Sequence, residues 1–321
     1  MVVAGGPLRI YSSKNLIDWT VESVYTNIDT ECSDLYPVKA PDGAIKWVLS
    51  RGGRYYKIGD FKEVNGKWTY VPDEAYADED GVMNFGRDSY AAMTYYVQDF
   101  GTAKKPAIPE IIEINWMNTW DYCNNVASTV GQNFNGTYNL NLKLGIAIED
   151  GKYVLTQNPI DSYESLRGEK VVELKGVEVG PDNDLLSGLK GDCYEIIATF
   201  KPGKDTKKVG FTVRSDGIRG TGVYYSLTTG SMIIDRTMSG TQIGGNFANG
   251  GRQTVTMNPD GTIDLHIFVD RASVEVFAKG GIAAGAVQIF PGADSLRASI
   301  LVEGGSATAD ITVYTLNSIW D

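Results

Sequence analysis

Apolar and polar residues alternate with a period of two along much of this chain, and helical spacing is nearly absent. The clearest case is TIDLHIFVD, where Ile263, Leu265, Ile267 and Val269 fall on one face, as a half-buried strand requires. The turn Pro259-Asp260-Gly261 separates it from TVTMN, which predicts a hairpin. Upstream, shorter runs (LRIYSS, IKWVLS, RYYKIGDF, YAAMTYYV, IIEINWM) are cut by turn residues and read as strands. One stretch differs: in QNPIDSYESLRGEK, Gln157 to Lys170, Asp161 is followed three positions on by Glu164, the spacing of a capped helix start. The pattern therefore predicts an all-β chain: short strands over residues 1–156, a linker helix over 157–168 and a β-sandwich over 169–321. The first region fits either packed sheets or a propeller.

Composition narrows the chemistry. The 321 residues carry 29 Lys and Arg against 40 Asp and Glu, a net charge of −11. That balance argues against nucleic acid or an anionic membrane as partner, since binding phosphates requires clustered cations, and it leaves a neutral ligand such as a sugar. Cys32, Cys123 and Cys193 are widely spaced and lack a CxxC pair, so they indicate neither a zinc site nor a disulfide framework. No apolar run is long enough to span a bilayer, and the first residues lack the basic start and apolar core of a secretory signal. The one histidine, His266, sits inside the alternating strand and reads as a structural or surface residue. Neither a nucleophile elbow nor a phosphate-cradling glycine loop is present, and no cofactor or metal is expected. Carboxylates and aromatics remain, which is the equipment of glycosidases: one carboxyl protonates the leaving oxygen, and a second attacks or activates water.

Alone, Glu31 is an ordinary loop carboxylate. Its setting in ECSDLYPV, followed in order by KWVLS, YYKIGDF, GRDSYAAMTY and NWMNTWDYCNN, resembles the later propeller blades of glycoside hydrolase family 32, the fructan β-fructosidases, levanases, inulinases and invertases. LTQNPIDSYESLR, IDRTMSG, LHIFVDRASVEVFA and LNSIW extend the resemblance over nearly the whole chain. It implies a partial five-bladed β-propeller followed by a C-terminal β-sandwich, acting on β-fructosides (levan, inulin or sucrose) with retention of configuration. Glu31 takes the place of the family's Glu-Cys glutamate, the general acid/base, with Ser33 where proline is common. Asp34 and Tyr36 are expected beside it as hydrogen-bonding support and wall. Trp116 resembles the tryptophan that lines the fructosyl pocket, and Asp88 with Tyr90 the family's Asp-x-Tyr-Ala pair. The bland alternatives are a core Trp116 and an Asp88 paired with Arg87 or Arg54.

The family's nucleophile lies in a Trp-Met-Asn-Asp-Pro-type motif and its transition-state-stabilising aspartate in an Arg-Asp-Pro motif, both before the Glu-Cys motif. WMNTWD (Trp116 to Asp121) and FGRDS (Phe85 to Ser89) lack Asp-Pro and follow Glu31, so neither substitutes. A blade takes roughly 40 to 50 residues, and the stretch before the linker accommodates about three. The resemblance thus implies that Met1 is an internal methionine, that two blades and the nucleophile lie outside this chain, and that the chain alone is inactive. A non-catalytic fructan-binding protein or degenerate relative is the alternative. The complete protein is expected to be secreted or on the cell surface, with the cytoplasm as second option, and open propeller edges are expected to favour self-association.

Overall fold

The computed structural model describes residues 1–26, 31–97, 101–102, 104–126, 130–131 and 133–320. Packing divides them into two units that interleave in sequence. The first comprises Met1–Asn84, Tyr90–Trp116 and Leu140–Gln157; the second comprises Phe85–Ser89, Met117–Asn139 and Asn158–Asp321. The last passage between the units falls at Gln157 and Asn158, and two upstream segments pack with the sandwich.

The first unit contains three successive sheets. Strands β1 (Val2–Val3), β2 (Leu8–Ser12) and β3 (Thr20–Tyr25) form one. In the next, β4 (Asp34–Lys39), β5 (Ile45–Arg51), β6 (Tyr55–Val64) and β7 (Lys67–Pro72) lie in sequence order, and the short β8 (Gly81–Val82) pairs with β6. The third contains β9 (Tyr90–Tyr96), β12 (Ile111–Trp116), β13 (Leu142–Glu149) and β14 (Lys152–Pro159), with a small hairpin of β10 (Gly101–Thr102) and β11 (Lys105–Pro106) between β9 and β12. Each sheet is a meander of neighbouring strands, the connectivity of a propeller blade. Leu8 and Ile10 pack with Leu49 and Tyr70 across the first two sheets. Tyr36, Val48 and Ile58 pack with Ile111, Leu144 and Leu155 across the second and third. Burying such side chains is worth about 1.5–3 kcal/mol each, and this holds one blade on the next.

The second unit is a two-sheet sandwich. One sheet has the order β15 (Arg167–Val179), β25 (Ala307–Leu316), β16 (Tyr194–Pro202), β21 (Ile263–Asp270), β22 (Ser273–Ala278) and β23 (Ala283–Gln288). The other has the order β20 (Gly251–Thr254), β19 (Ser231–Asp235), β18 (Thr221–Ser226), β17 (Lys208–Ser215) and β24 (Arg297–Glu303). The alternation in β21 is realised, with Ile263, Leu265, Ile267 and Val269 all buried. His266 points to the other side, its Nε2 2.6 Å from Glu195 Oε1.

The sandwich's β23 edge is covered by the segment Phe85–Ser89. Phe85 N–H donates to the Ala284 carbonyl at 2.8 Å and Asp88 N–H to that of Ala286 at 3.1 Å. Glycine is needed at both contact points. A Cβ on Gly86 would lie 2.1 Å from the Ala286 carbonyl oxygen, and one on Gly285 would lie 2.5 Å from the Phe85 ring.

The expected linker helix is a 3-10 turn over Asp161–Leu166 without a side-chain cap. Glu164 pairs with Arg167 at 3.2 Å instead of folding back on the helix start. With β14 running to Pro159 and β15 starting at Arg167, only seven residues lie between them, six of them in the turn, too few for the expected helix.

Candidate active site

Glu31 lies in the bend before β4, exposed, and its geometry follows from the residue after it. Cys32 has φ 54°, the left-handed region that non-glycine residues enter at a cost. Burial raises the Cys32 thiol pKa above its ordinary value, and the Glu31 charge adds to the rise. Among the described residues Glu31 has one hydrogen-bond partner, the Tyr90 hydroxyl, which donates to Oε1 at 3.1 Å.

Tyr90 is the first residue of β9, and a double-glycine turn receives it. Gly52 and Gly53 have φ 59° and 69°, and the Gly52 carbonyl accepts the Ala91 N–H at 2.9 Å. A Cβ on Gly52 would sit 3.1 Å from the Tyr90 ring, and one on Gly53 would sit 2.5 Å from the Ala92 nitrogen. Trp116 closes β12 opposite Tyr90, after a register shift between Ile114 and Trp116. Directly paired residues in an antiparallel ladder share a face, so Tyr90 and Trp116 stand side by side, both half-buried.

Asp34 ties β4 to β9: one carboxylate oxygen accepts the Thr94 N–H at 2.8 Å and the Thr94 hydroxyl at 2.6 Å, and the other accepts the Leu35 N–H. It supports the strand that carries Tyr90. Behind it lies Glu113, fully buried, whose Oε1 accepts the side-chain amides of Asn115 at 2.5 Å and Gln157 at 3.0 Å while Oε2 has no partner. Burial pushes the Glu113 carboxyl up to about 7; the charge of Asp34 adds to the rise, and the two amide bonds oppose it. Nothing in IIEINWM marked Glu113 for attention, because a strand sequence does not say which face is closed over.

Two expected pocket residues are placed elsewhere. Tyr36 is 0% exposed and belongs to the core between the second and third sheets, so its ring is closed to a ligand. Alternate residues of β4 serve two cores: Tyr36 and Val38 face the one between the second and third sheets, and Leu35 packs against the one between the first and second. Asp88 belongs to the second unit and is also fully buried, paired with Arg236 Nη1 at 2.5 Å. The Tyr122 hydroxyl donates to its Oδ1, and the Gln288 N–H donates to its Oδ2 at 2.7 Å. With both oxygens occupied, Asp88 is a structural anion. Its partner is neither Arg87, which pairs with Asp121, nor Arg54. The structure therefore brings together Glu31, Tyr90 and Trp116, backed by Asp34.

Comparison with known proteins accounts for nearly the whole chain. The model of the glycosyl hydrolases family 32 N-terminal domain matches residues 2–159, and that of the family 32 C-terminal region matches residues 162–315. A fructan beta-fructosidase of Streptococcus mutans is 59% identical over 322 residues, covering 100% of this chain and 23% of that protein. A levanase of Bacillus subtilis is 29% identical, covering 100% of this chain and 48% of its own length. The chain thus spans less than half of either relative. The crystal structure of an exo-inulinase from Aspergillus awamori superimposes with a TM-score of 0.83 at 24% identity, covering 98% of this chain and 63% of that one; it supports the fold, a propeller followed by a sandwich.

Proposed function

The chain belongs to glycoside hydrolase family 32, and we propose that it is the acid/base-bearing part of an enzyme that hydrolyses β-fructosides such as levan, inulin or sucrose with retention of configuration. Glu31 protonates the leaving oxygen and then, as a carboxylate, activates the water that releases the sugar. Tyr90 orients the Glu31 carboxyl, and Trp116 offers a flat apolar face to the fructosyl ring. The observation that carries this reading is the Tyr90–Glu31 hydrogen bond at 3.1 Å with Trp116 opposite Tyr90 on the same ladder. In this reading the two aromatic residues and the carboxyl line the space of one sugar ring.

Retention also needs an attacking carboxylate about 5 to 5.5 Å from the acid. We assign that role to no residue of this chain. Hydrolysis therefore requires a longer polypeptide that supplies it, because removing one member of a catalytic unit lowers the rate by orders of magnitude. In the relatives' names the activity is fructan beta-fructosidase, levanase or extracellular exo-inulinase. We place the complete protein outside the cell or at its surface. Among the described residues no helix is long and apolar enough to cross a membrane.

The test is fructose release from sucrose, inulin and levan by residues 1–321 and by a longer polypeptide that adds the family's two earlier blades, each with and without Glu31→Gln. Release by the longer form, abolished by Glu31→Gln, is the expected result. Release by the short chain that depends on Glu31 would show that it contains a nucleophile. Tight fructan binding without release in either form would favour a binding protein.

A further inference from the structure

One concavity of the chain lies away from Glu31. It is a groove of about 620 Å³ on the outward face of the five-stranded sheet of the sandwich, within the size range of about 300–1,000 Å³ typical of small-ligand sites. The strand registers specify its floor. Ser299, Thr212, Gly222 and Asp235 form one cross-strand row, and Leu301, Gly210 and Tyr224 form the next. Two glycines in adjacent rows remove the side chains that would otherwise stand up beside Tyr224. A Cβ on Gly222 would meet the Tyr224 ring edge at 3.3 Å, and one on Gly210 would meet the Tyr224 Cβ at 2.8 Å. The ring therefore leans along its own strand over Gly222, half-buried, with the Lys208 ammonium 5.3 Å from its centroid, so a stacked ligand would displace that flexible side chain or use the other face.

The polar groups around this ring are balanced in charge. Lys208, Arg219 and Arg297 face Asp184 and Asp235 in the lining, while Glu303 and Asp216 neutralise Lys208 and Arg219 at 2.6 and 2.9 Å. Such a lining gives little attraction to a phosphate or other anion. Meanwhile the side chains of Thr212, Ser299, Asp184 and Arg297 have no protein partner among the described residues. An aromatic ring lying in a trough, flanked by hydroxyl, carboxylate and guanidinium groups, matches a ligand with one apolar face and a belt of hydroxyls.

We propose that this groove is a second saccharide-binding site, occupied by a stretch of β-fructan chain that stacks a fructosyl ring on Tyr224 and hydrogen-bonds to Thr212, Ser299, Asp184 and Arg297. The geometry itself requires a neutral polyhydroxylated ligand; the assignment to fructan rests on the function proposed above. The site would hold a polymeric substrate to the sandwich and raise the local concentration of chain ends for the hydrolytic site.

The test uses the 321-residue chain and affinity electrophoresis in gels containing levan, inulin or, as a control polysaccharide, dextran. The variants are Tyr224→Ala, Thr212→Trp, which would fill the trough from the neighbouring row, and Trp116→Ala, with circular dichroism to establish folding. The expected result is retardation by levan or inulin but not by dextran, weakened at least tenfold by Tyr224→Ala and by Thr212→Trp and kept in Trp116→Ala. Retention of binding in both groove variants with loss in Trp116→Ala would overturn the groove and leave the Glu31 site standing. Equal retardation by dextran would overturn the commitment to fructan, and absence of retardation by any of the three would overturn the second site altogether.

Discussion

Replacing Arg236 by Met should destabilise the sandwich more than most single changes in its apolar core. The guanidinium is 0% exposed, as is its partner Asp88. It donates to Asp88 at 2.5 Å, to the Gln288 carbonyl at 2.8 Å and to the Tyr122 hydroxyl at 2.6 Å, and it stacks 3.9 Å from the Phe247 ring centroid. Met keeps the apolar stem but leaves Asp88 as a buried anion without its counter-charge, and breaking a buried pair from one side costs about 3–5 kcal/mol. At about 2–4 °C per kcal/mol for a unit of this size, the melting temperature should fall by roughly 10 °C. The double variant Asp88→Asn with Arg236→Met removes both charges and should recover more than half of the loss, because the penalty comes from the orphaned ion. Urea titrations followed by near-ultraviolet circular dichroism, on wild type, both single variants and the double, give the coupling directly. A loss below about 1 kcal/mol for Arg236→Met, or a double variant no more stable than that single one, would refute the reasoning.

Glu113→Gln should flatten the pH dependence of the first unit. The folded-state carboxyl titrates at about 7, above an unfolded value of about 4.3, so the folded state holds its proton longer. Stability is then lost as pH rises between these values, on the order of 3 kcal/mol in all, and the variant should equal wild type near pH 4 and exceed it at pH 8 in thermal melts; an unchanged pH profile would contradict this. In a hydrolysing polypeptide that contains this chain, Tyr90→Phe should lower kcat/KM about tenfold by freeing the Glu31 carboxyl, and a steady-state assay with sucrose measures it. Arg271→Ala should leave turnover and melting temperature unchanged within about 0.5 kcal/mol, because its side chain is 80% exposed and, among the described residues, pairs with Asp192 alone at 3.1 Å; this can be read in the same assay and a thermal melt.

What the sequence revealed was what depends on neighbours along the chain. The period-two stripe of β21 predicted its buried face because pleating alternates side chains, whereas β22 shows no such stripe, since Val274 through Ala278 are all buried. The motif order around Glu31 led to the family and to Tyr90 and Trp116. The sides of β4 and the fate of Asp88 could not be read in the same way. Tyr36 and Asp34 lie two positions apart on one strand, yet only the packing of the next sheet decides which is closed over. Asp88 meets an arginine 148 positions away, and no local pattern announces a partner at that distance. The role of Gly52 and Gly53 in receiving Tyr90 appears only once β9 is laid against them.

The interleaving of the two units bears on how the protein is made. The chain passes between them five times, and the Asp88 carboxylate waits for the Gln288 backbone, 200 residues further on. On a ribosome adding about 5–20 residues per second, that partner emerges roughly 10–40 seconds after Asp88. Throughout that interval Phe85–Ser89 has no β23 edge to lie against, and the start of β9 lacks its anchor. Contacts of such long sequence separation form late, because the closure entropy of the loop precedes any gain. The nascent chain thus carries Phe85–Ser89 without its docking edge until the sandwich is nearly finished, and a chaperone that shields that stretch should raise the yield of folded protein.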